Sequence, residues 1–335
     1  MASMTGPKVE SIEEDYPISA DPSKYVTLPV QHEKIWNKYQ VTLDNFWTVY
    51  DVYLTSDKDV MKTIFNEEQT QYILRLLAFM FTAHYTAINK ELFMQFMNQA
   101  DIKEAVYYFG SQADAKKTHS MMYFMLLDEL TRDEPGRKDK LVREMASSPD
   151  VRDFLRWSVH NTTSSTLSFG QRLLSFATLQ GIIFTVPFVM LNWLQKQHKN
   201  FMPGLAKSNR LIWDDEKLNL SFSCLMFDYI EEEMNNEEAH RIIGEAVCHA
   251  KKLFTKTIPV SQIGMDCDLI EQFIEHSADV ILSSIHAAKL YNRESPFDWI
   301  EERSVETYQS KSNGSKIVDA SLNLGGTTFD LNEDF

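Results

Sequence analysis

The chain has 335 residues, a formal net charge of −15 and 44% hydrophobic residues, with only 11 glycines and 10 prolines. Such a length allows one large domain or two small ones around a sizeable core, and the scarcity of breakers favours long helices over many short strands. The acidity argues against nucleic acid as a partner, because that affinity rests on Lys and Arg against phosphate. Three scattered cysteines (Cys224, Cys248 and Cys267) with no CxxC pattern, and no recognisable signal sequence, set the expectation of reduced thiols in the cytoplasm.

In chain order, residues 1–30 are polar and dotted with proline, which predicts a loose arm, and MASMTG at 1–6 resembles a tag remnant. Residues 31–301 read as a single helical domain. VQHEKIWNKYQVTLDNFW (30–47) has helical periodicity, and NEEQTQYILRLLAFMFTAHYTAINKELFMQFMNQ (66–99) predicts a long helix capped at Asn66. The next helix spans 101–130, with Asp101 as its expected cap. Shorter helices follow, one starting at Pro149. LLSFATLQGIIFTVPFVMLNW (173–193) is long enough to cross a bilayer. Its Gln180, Pro187 and Asn192, and the lack of a basic flank, favour a buried core helix interrupted near Pro187, so no membrane contact is expected. Helices are predicted over 202–234 and in two later amphipathic stretches. From 302 the chain turns polar and rich in Gly, Ser and Asn, which predicts a flexible tail. The fold class is all-α, a bundle of long helices.

Within DAKKTHSMMY (114–123), Lys116, His119 and Tyr123 share one helix face that the following FMLL turns inward. Carboxylate bundles hold two metals with Glu on two helices and Glu-x-x-His on two others. Here the matching positions read Lys116-x-x-His119, Glu216-x-x-Asn219 and Gln180. A literal Glu-x-x-His at Glu237/His240 lies among charges and reads as a solvated helix start. Glu245/His249 reads as an i,i+4 surface pair.

NFWTVYDVYLTSD (45–57), FGSQADAKKTHSMMY (109–123), LLSFATLQGIIF (173–184), MPGLAKSNRLIWDDEKLNLSFSCLMF (202–227), PVSQIGMDC (259–267), SPFDW (295–299) and the terminal FDLNEDF occur in this order. Together they resemble the small, radical-generating subunit of class I ribonucleotide reductase, over nearly everything from 25 to 335. The resemblance implies a ferritin-like helical bundle. It places the family's first aspartate ligand on Asp57, its first Glu-x-x-His on Lys116 and His119, its next glutamate on Gln180, and its last Glu-x-x-His on Glu216 and Asn219. The family's radical tyrosine falls on Tyr123 and its relay on His119, Asp215 and Trp36, while Asp214 stands where the family has arginine. Three of six ligand positions survive.

The family norm is a di-iron, tyrosyl-radical centre; the reading of this chain is that it carries no cofactor of its own. With Asp57 and Glu216 as the remaining carboxylates and Lys116 as a fixed cation, the charge is −2 +1, or zero if His119 is protonated. Lys116 is therefore expected to bridge Asp57 and Glu216 in the space of a lost metal, because an unpaired buried charge is costly. The alternatives are one metal on Asp57, His119 and Glu216, or a metal-free radical on a modified Tyr123. Otherwise Tyr123 is a buried tyrosine whose hydroxyl has a partner. The resemblance implies an auxiliary paralogue that pairs with a ligand-complete small subunit, and a homodimer remains open for the isolated chain. It also implies docking on the large subunit through Phe329, Leu331 and Phe335 of the tail. Tyr308 or Ser321 falls at the tail relay position.

Overall fold

The computed structural model describes residues 29–87, 90–231 and 234–300. The predicted arm, apart from its last two residues, and the predicted tail, with Tyr308, Ser321, Phe329, Leu331 and Phe335, lie outside the described residues. The architecture is helical throughout, with no strand among the described residues. In chain order the helices are α1 (Glu33–Asp44), α2 (Asp57–Ile64), α3 (Glu67–Ala87), α4 (Lys90–Gln99), α5 (Lys103–Leu130) and α6 (Arg137–Ser147). They continue with α7 (Pro149–Thr163), α8 (Phe169–Thr178), α9 (Thr185–Gln197), α10 (Pro203–Leu225), α11 (Asn236–Lys252) and α12 (Cys267–Ser284). The buried apolar residues form one connected cluster that runs from Ile35 to Phe297.

Local chemistry sets the helix ends. Asn66 caps α3 by accepting from the Gln69 amide at 2.8 Å, and Gln69 returns the bond, a reciprocal box that satisfies two end groups. Ser168 and Gln171 do the same for α8, and Pro149 opens α7 as expected. Asp101 does not cap α5, since Ile102 holds that position with no side-chain bond. Instead Glu104, in the first turn, accepts from the Gln31 and His32 amides and pins the entry to α1 against α5.

The apolar stretch lies inside the molecule: across Phe169–Gln197, the most hydropathic window is 94% buried. Its interruption comes earlier than Pro187. Leu179–Ile183 form one wide turn in which the Phe184 amide bonds the Leu179 carbonyl, five residues back, at 2.8 Å. Pro187, which has no N–H to donate, then fits in the first turn of α9. Gly181 sits in the wide turn because a Cβ there would come within 2.8 Å of Ile281 and Leu220, side chains on α12 and α10.

The long α5 lies against α3, α1 and α4, and α10 packs on α8, α9 and α5. Side chains from α3, α5 and α10 therefore meet in the middle of the bundle.

Candidate functional site

Lys116 on α5 is 3% exposed and points inward, and its ammonium contacts both carboxylate oxygens of Glu216 on α10. His119, one turn along α5, brings Nδ1 to 3.1 Å from Glu216 Oε1 and Nε2 to 2.8 Å from Asp215 Oδ2. A ring that meets a carboxylate at both nitrogens can donate through both only as an imidazolium. Burial opposes that charge, but Asp215 and Glu216 raise the His119 pKa above its usual value. For Glu216, burial opposes ionisation too, yet Lys116, His119 and His84 hold the carboxyl well below the usual range. Burial pulls Lys116 below the ordinary lysine value, and Glu216 resists that pull. With His119 protonated, two cationic groups face two carboxylates and the charges cancel.

The centre contains a residue that the sequence reading missed. His84 on α3 is buried, with Nδ1 on the Met80 carbonyl at 3.1 Å and Nε2 3.6 Å from Glu216 Oε1. Burial, helped by Lys116, lowers its pKa to about 4, so its ring is neutral at pH 7. A signal was present: His84 falls four residues after Met80 on the face that also buries Ile73 and Leu77. Phe184, just after the wide turn, covers His84 at 4.1 Å between ring centres, and its face lies 5.7 Å from the Lys116 ammonium.

Asp57 is not part of this centre. Its carboxylate accepts from the amides of Gly204 and Leu205 at 2.9 and 2.6 Å, capping the start of α10. The expected bridge from Lys116 to Asp57 is therefore corrected to a Lys116–Glu216 pair, since the first amides of α10, which have no partner within the helix, already hold Asp57. Burial raises the Asp57 pKa, and those two amides oppose the shift.

Trp36 is also misplaced in the expected relay. It packs on Tyr39 and Tyr107, whereas Trp47 donates from Nε1 to Asp215 Oδ2 at 2.8 Å and stacks on His119. The chain of contacts runs Trp47–Asp215–His119–Glu216–Lys116. Gln180 and Asn219 are buried, but they bond Ser223 and Tyr108 rather than the ion pair. The Tyr123 hydroxyl is buried with no hydrogen-bond partner among the described residues, contrary to the expected partnered hydroxyl. Its ring lies 5.2 Å from that of His84, and burial, with Glu216, holds its pKa well above the usual value.

Away from the centre, Glu237 lies in the first turn of α11 and His240 contacts the Ala288 carbonyl. Glu245 bonds Arg241 and Trp157, while His249 packs on Trp157 and Phe154, so the expected simple surface pair is a packed cluster instead. Asp214, in the arginine position of the resemblance, lies 3.4 Å from Lys217. All three cysteines are free.

Donor atoms of His84, His119 and Glu216 lie within 4.8 Å of one another, close enough for one cation. They do not fit a two-ion centre. Such a centre needs several bridging carboxylates, and here Lys116 contacts both oxygens of the one carboxylate in the set.

A helical bundle whose centre is built from α3, α5 and α10, with a Trp–Asp–His chain leading outward, defines a ferritin-like helical protein. The family model for the ribonucleotide reductase small chain matches residues 24–296, and the chain belongs to that family. The ribonucleoside-diphosphate reductase small chain of Spisula solidissima is 35% identical over 301 residues, which cover 90% of this chain and 77% of that one. The small chain of Nicotiana tabacum is 33% identical, covering 97% of this chain and 99% of that one. Among solved structures, the ribonucleotide reductase Rnr4 homodimer from Saccharomyces cerevisiae superposes with a TM-score of 0.75 at 29% identity, covering 82% of this chain and 86% of that one.

Proposed function

We propose that this chain is a non-catalytic, auxiliary small subunit of ribonucleoside-diphosphate reductase. In this reading it pairs with a ligand-complete, radical-bearing small subunit in the cytoplasm. It docks on the large subunit through its C-terminal residues and supports deoxyribonucleotide synthesis without a metal centre of its own. The observation that carries the reading is the Lys116 ammonium held against both oxygens of Glu216. A fixed ammonium repels a dication in a buried site, and the repulsion grows as the local dielectric falls. The ion pair neutralises the carboxylate that a cation would otherwise balance, so the bundle can close around a polar centre. The likeness to the Rnr4 homodimer supports a homodimer as the state of the isolated chain.

A second reading is favoured by one specific observation: the His84 Nε2 atom is buried without a hydrogen-bond partner beside His119 and Glu216. Two imidazoles and a carboxylate are a known donor set for a single transition metal. Metal analysis and electron paramagnetic resonance of the purified protein, alone and mixed with a ligand-complete small subunit, separate the two. The auxiliary reading expects well below one iron or manganese per chain, no tyrosyl signal alone, co-purification with the ligand-complete subunit and a radical in the mixture. One tightly held metal per chain, or a stoichiometric radical on the isolated protein, overturns it.

A further inference from the structure

A cleft of about 580 Å³ opens between α9, α10 and the last described residues, Trp299 and Ile300. Lys207, Arg210, Asp214 and Lys217 line it at i, i+3, i+7 and i+10, so they share one face of α10. Asp214 lies 3.4 Å from Lys217. Lys207 donates to the Asp51 carbonyl, and its charge is also felt by the Asp51 carboxylate. Arg210 is exposed and forms no ion pair among the described residues. Both indoles on the wall carry a lysine: Lys217 stands 4.2 Å over Trp213 and Lys196 4.8 Å over Trp299, contacts that hold each ammonium in place. The lining thus sets three cations against one carboxylate, in a chain whose net charge is −15.

Such a surface fits an acidic occupant with apolar anchors. The chain contains one. Residues 329–335, FDLNEDF, hold Asp330, Glu333 and Asp334 with no cation, and Phe329, Leu331 and Phe335 suit a wall of indoles and Ile300. The tether also fits. The described chain stops at Ile300, on the wall of the cleft itself, so residues 301–328 join the cleft to the acidic segment. A linker of that length spans on the order of 30 Å, ample for a return to its own starting point. A segment tethered in this way meets its site at roughly millimolar effective concentration. Glu301 and Glu302 are nearer, but Arg303 follows them and no aromatic residue accompanies them, so they match the lining less well.

We propose that this cleft holds residues 329–335 of the same chain, with the acids on Arg210 and Lys207 and a phenylalanine beside Trp213 or Trp299. The proposal depends neither on the auxiliary reading nor on docking to the large subunit. Residues held in the cleft are withheld from any other partner until they are released. The test uses the purified full chain with photoreactive benzoylphenylalanine in place of Phe335, irradiated as an equal mixture of nitrogen-15-labelled and unlabelled protein. Mass spectrometry is expected to find cross-links to the 207–217 segment or to Trp299, within chains of one label. Lys207→Glu with Arg210→Glu, two exposed positions, should lower their yield about fivefold or more, and 0.5 M salt should lower it as well. Lys140→Glu, an exposed charge reversal on α6, should leave the yield unchanged. The proposal is overturned if the cross-links fall elsewhere, if they join differently labelled chains, or if the double charge reversal leaves their yield unchanged. A cleft filled instead by Glu301 and Glu302 gives the first of these results.

Discussion

Lys116 and Glu216 are 100 positions apart in the chain, yet each is the other's main counter-charge. Removing one partner of a buried pair leaves an uncompensated charge, so Lys116→Met should destabilise the protein by about 3–5 kcal/mol. Lys116→Met combined with Glu216→Leu should recover most of that loss, because two apolar side chains need no partner. Denaturant midpoints at neutral pH read both outcomes; a single variant that costs under about 1 kcal/mol would remove the pair from any central role. His84 supplies a pH signature. Its folded pKa of about 4 lies below the ordinary histidine value of 6.5. The unfolded chain therefore takes up the proton first, and the stability present above pH 6.5 falls as pH drops towards 4. The shift corresponds to about 3 kcal/mol. His119 works in the opposite direction: its raised pKa stabilises fully below 6.5 and loses effect as pH rises through its folded value. His84→Leu should flatten the acid limb of the stability curve between those values, and an unchanged limb would show that another group titrates there.

At the scale of elements, the start of α10 is held by a close fit that reaches back to the residues before α2. A Cβ on Gly204 would lie 2.6 Å from the Tyr53 carbonyl oxygen and 2.8 Å from Asp57 Oδ2, atoms of a backbone and of a cap that have little room to move. A Cβ on Gly181 would instead meet the ends of Ile281 and Leu220, which can rotate away. Gly204→Ala should therefore lower the thermal midpoint more than Gly181→Ala, whose overpacking is expected to cost about 1–3 kcal/mol. Asp57→Ala should cost a comparable amount through loss of the cap. It should leave the pairing of Lys116 with Glu216 intact, so that Lys116→Met costs the same in the Asp57→Ala background, and a smaller cost there would contradict this. The helices themselves were legible because their apolar faces recur at helical spacing. The caps were less so: Asn66 could be read, but Asp101 yielded to Ile102 because only the packing of α5 against the entry to α1 sets where the helix starts.

For the whole molecule, the apolar stretch that is long enough to span a membrane is the inside of the bundle, covered by α7, α10, α11 and α12. Deleting residues 329–335 should weaken binding to the large subunit while leaving the thermal midpoint unchanged; surface-immobilised large subunit and a melting curve measure both. Unchanged binding would remove the tail from the proposed docking.

The sequence by itself determined the all-helical class, the inward face of Lys116, His119 and Tyr123, and the membership of a reductase family, because periodicity and contiguous motifs are properties of neighbouring residues. Only the tertiary structure decided which distant residues meet. It put His84 rather than Asp57 beside Lys116, and Trp47 rather than Trp36 on Asp215. Aspartate after the FW segment carries the same charge wherever it lies, and no spacing along the chain reveals that the amides of Gly204 and Leu205 hold it. Partnership in a buried polar centre depends on how α3, α5 and α10 cross, and that crossing is set by the packing of the entire core.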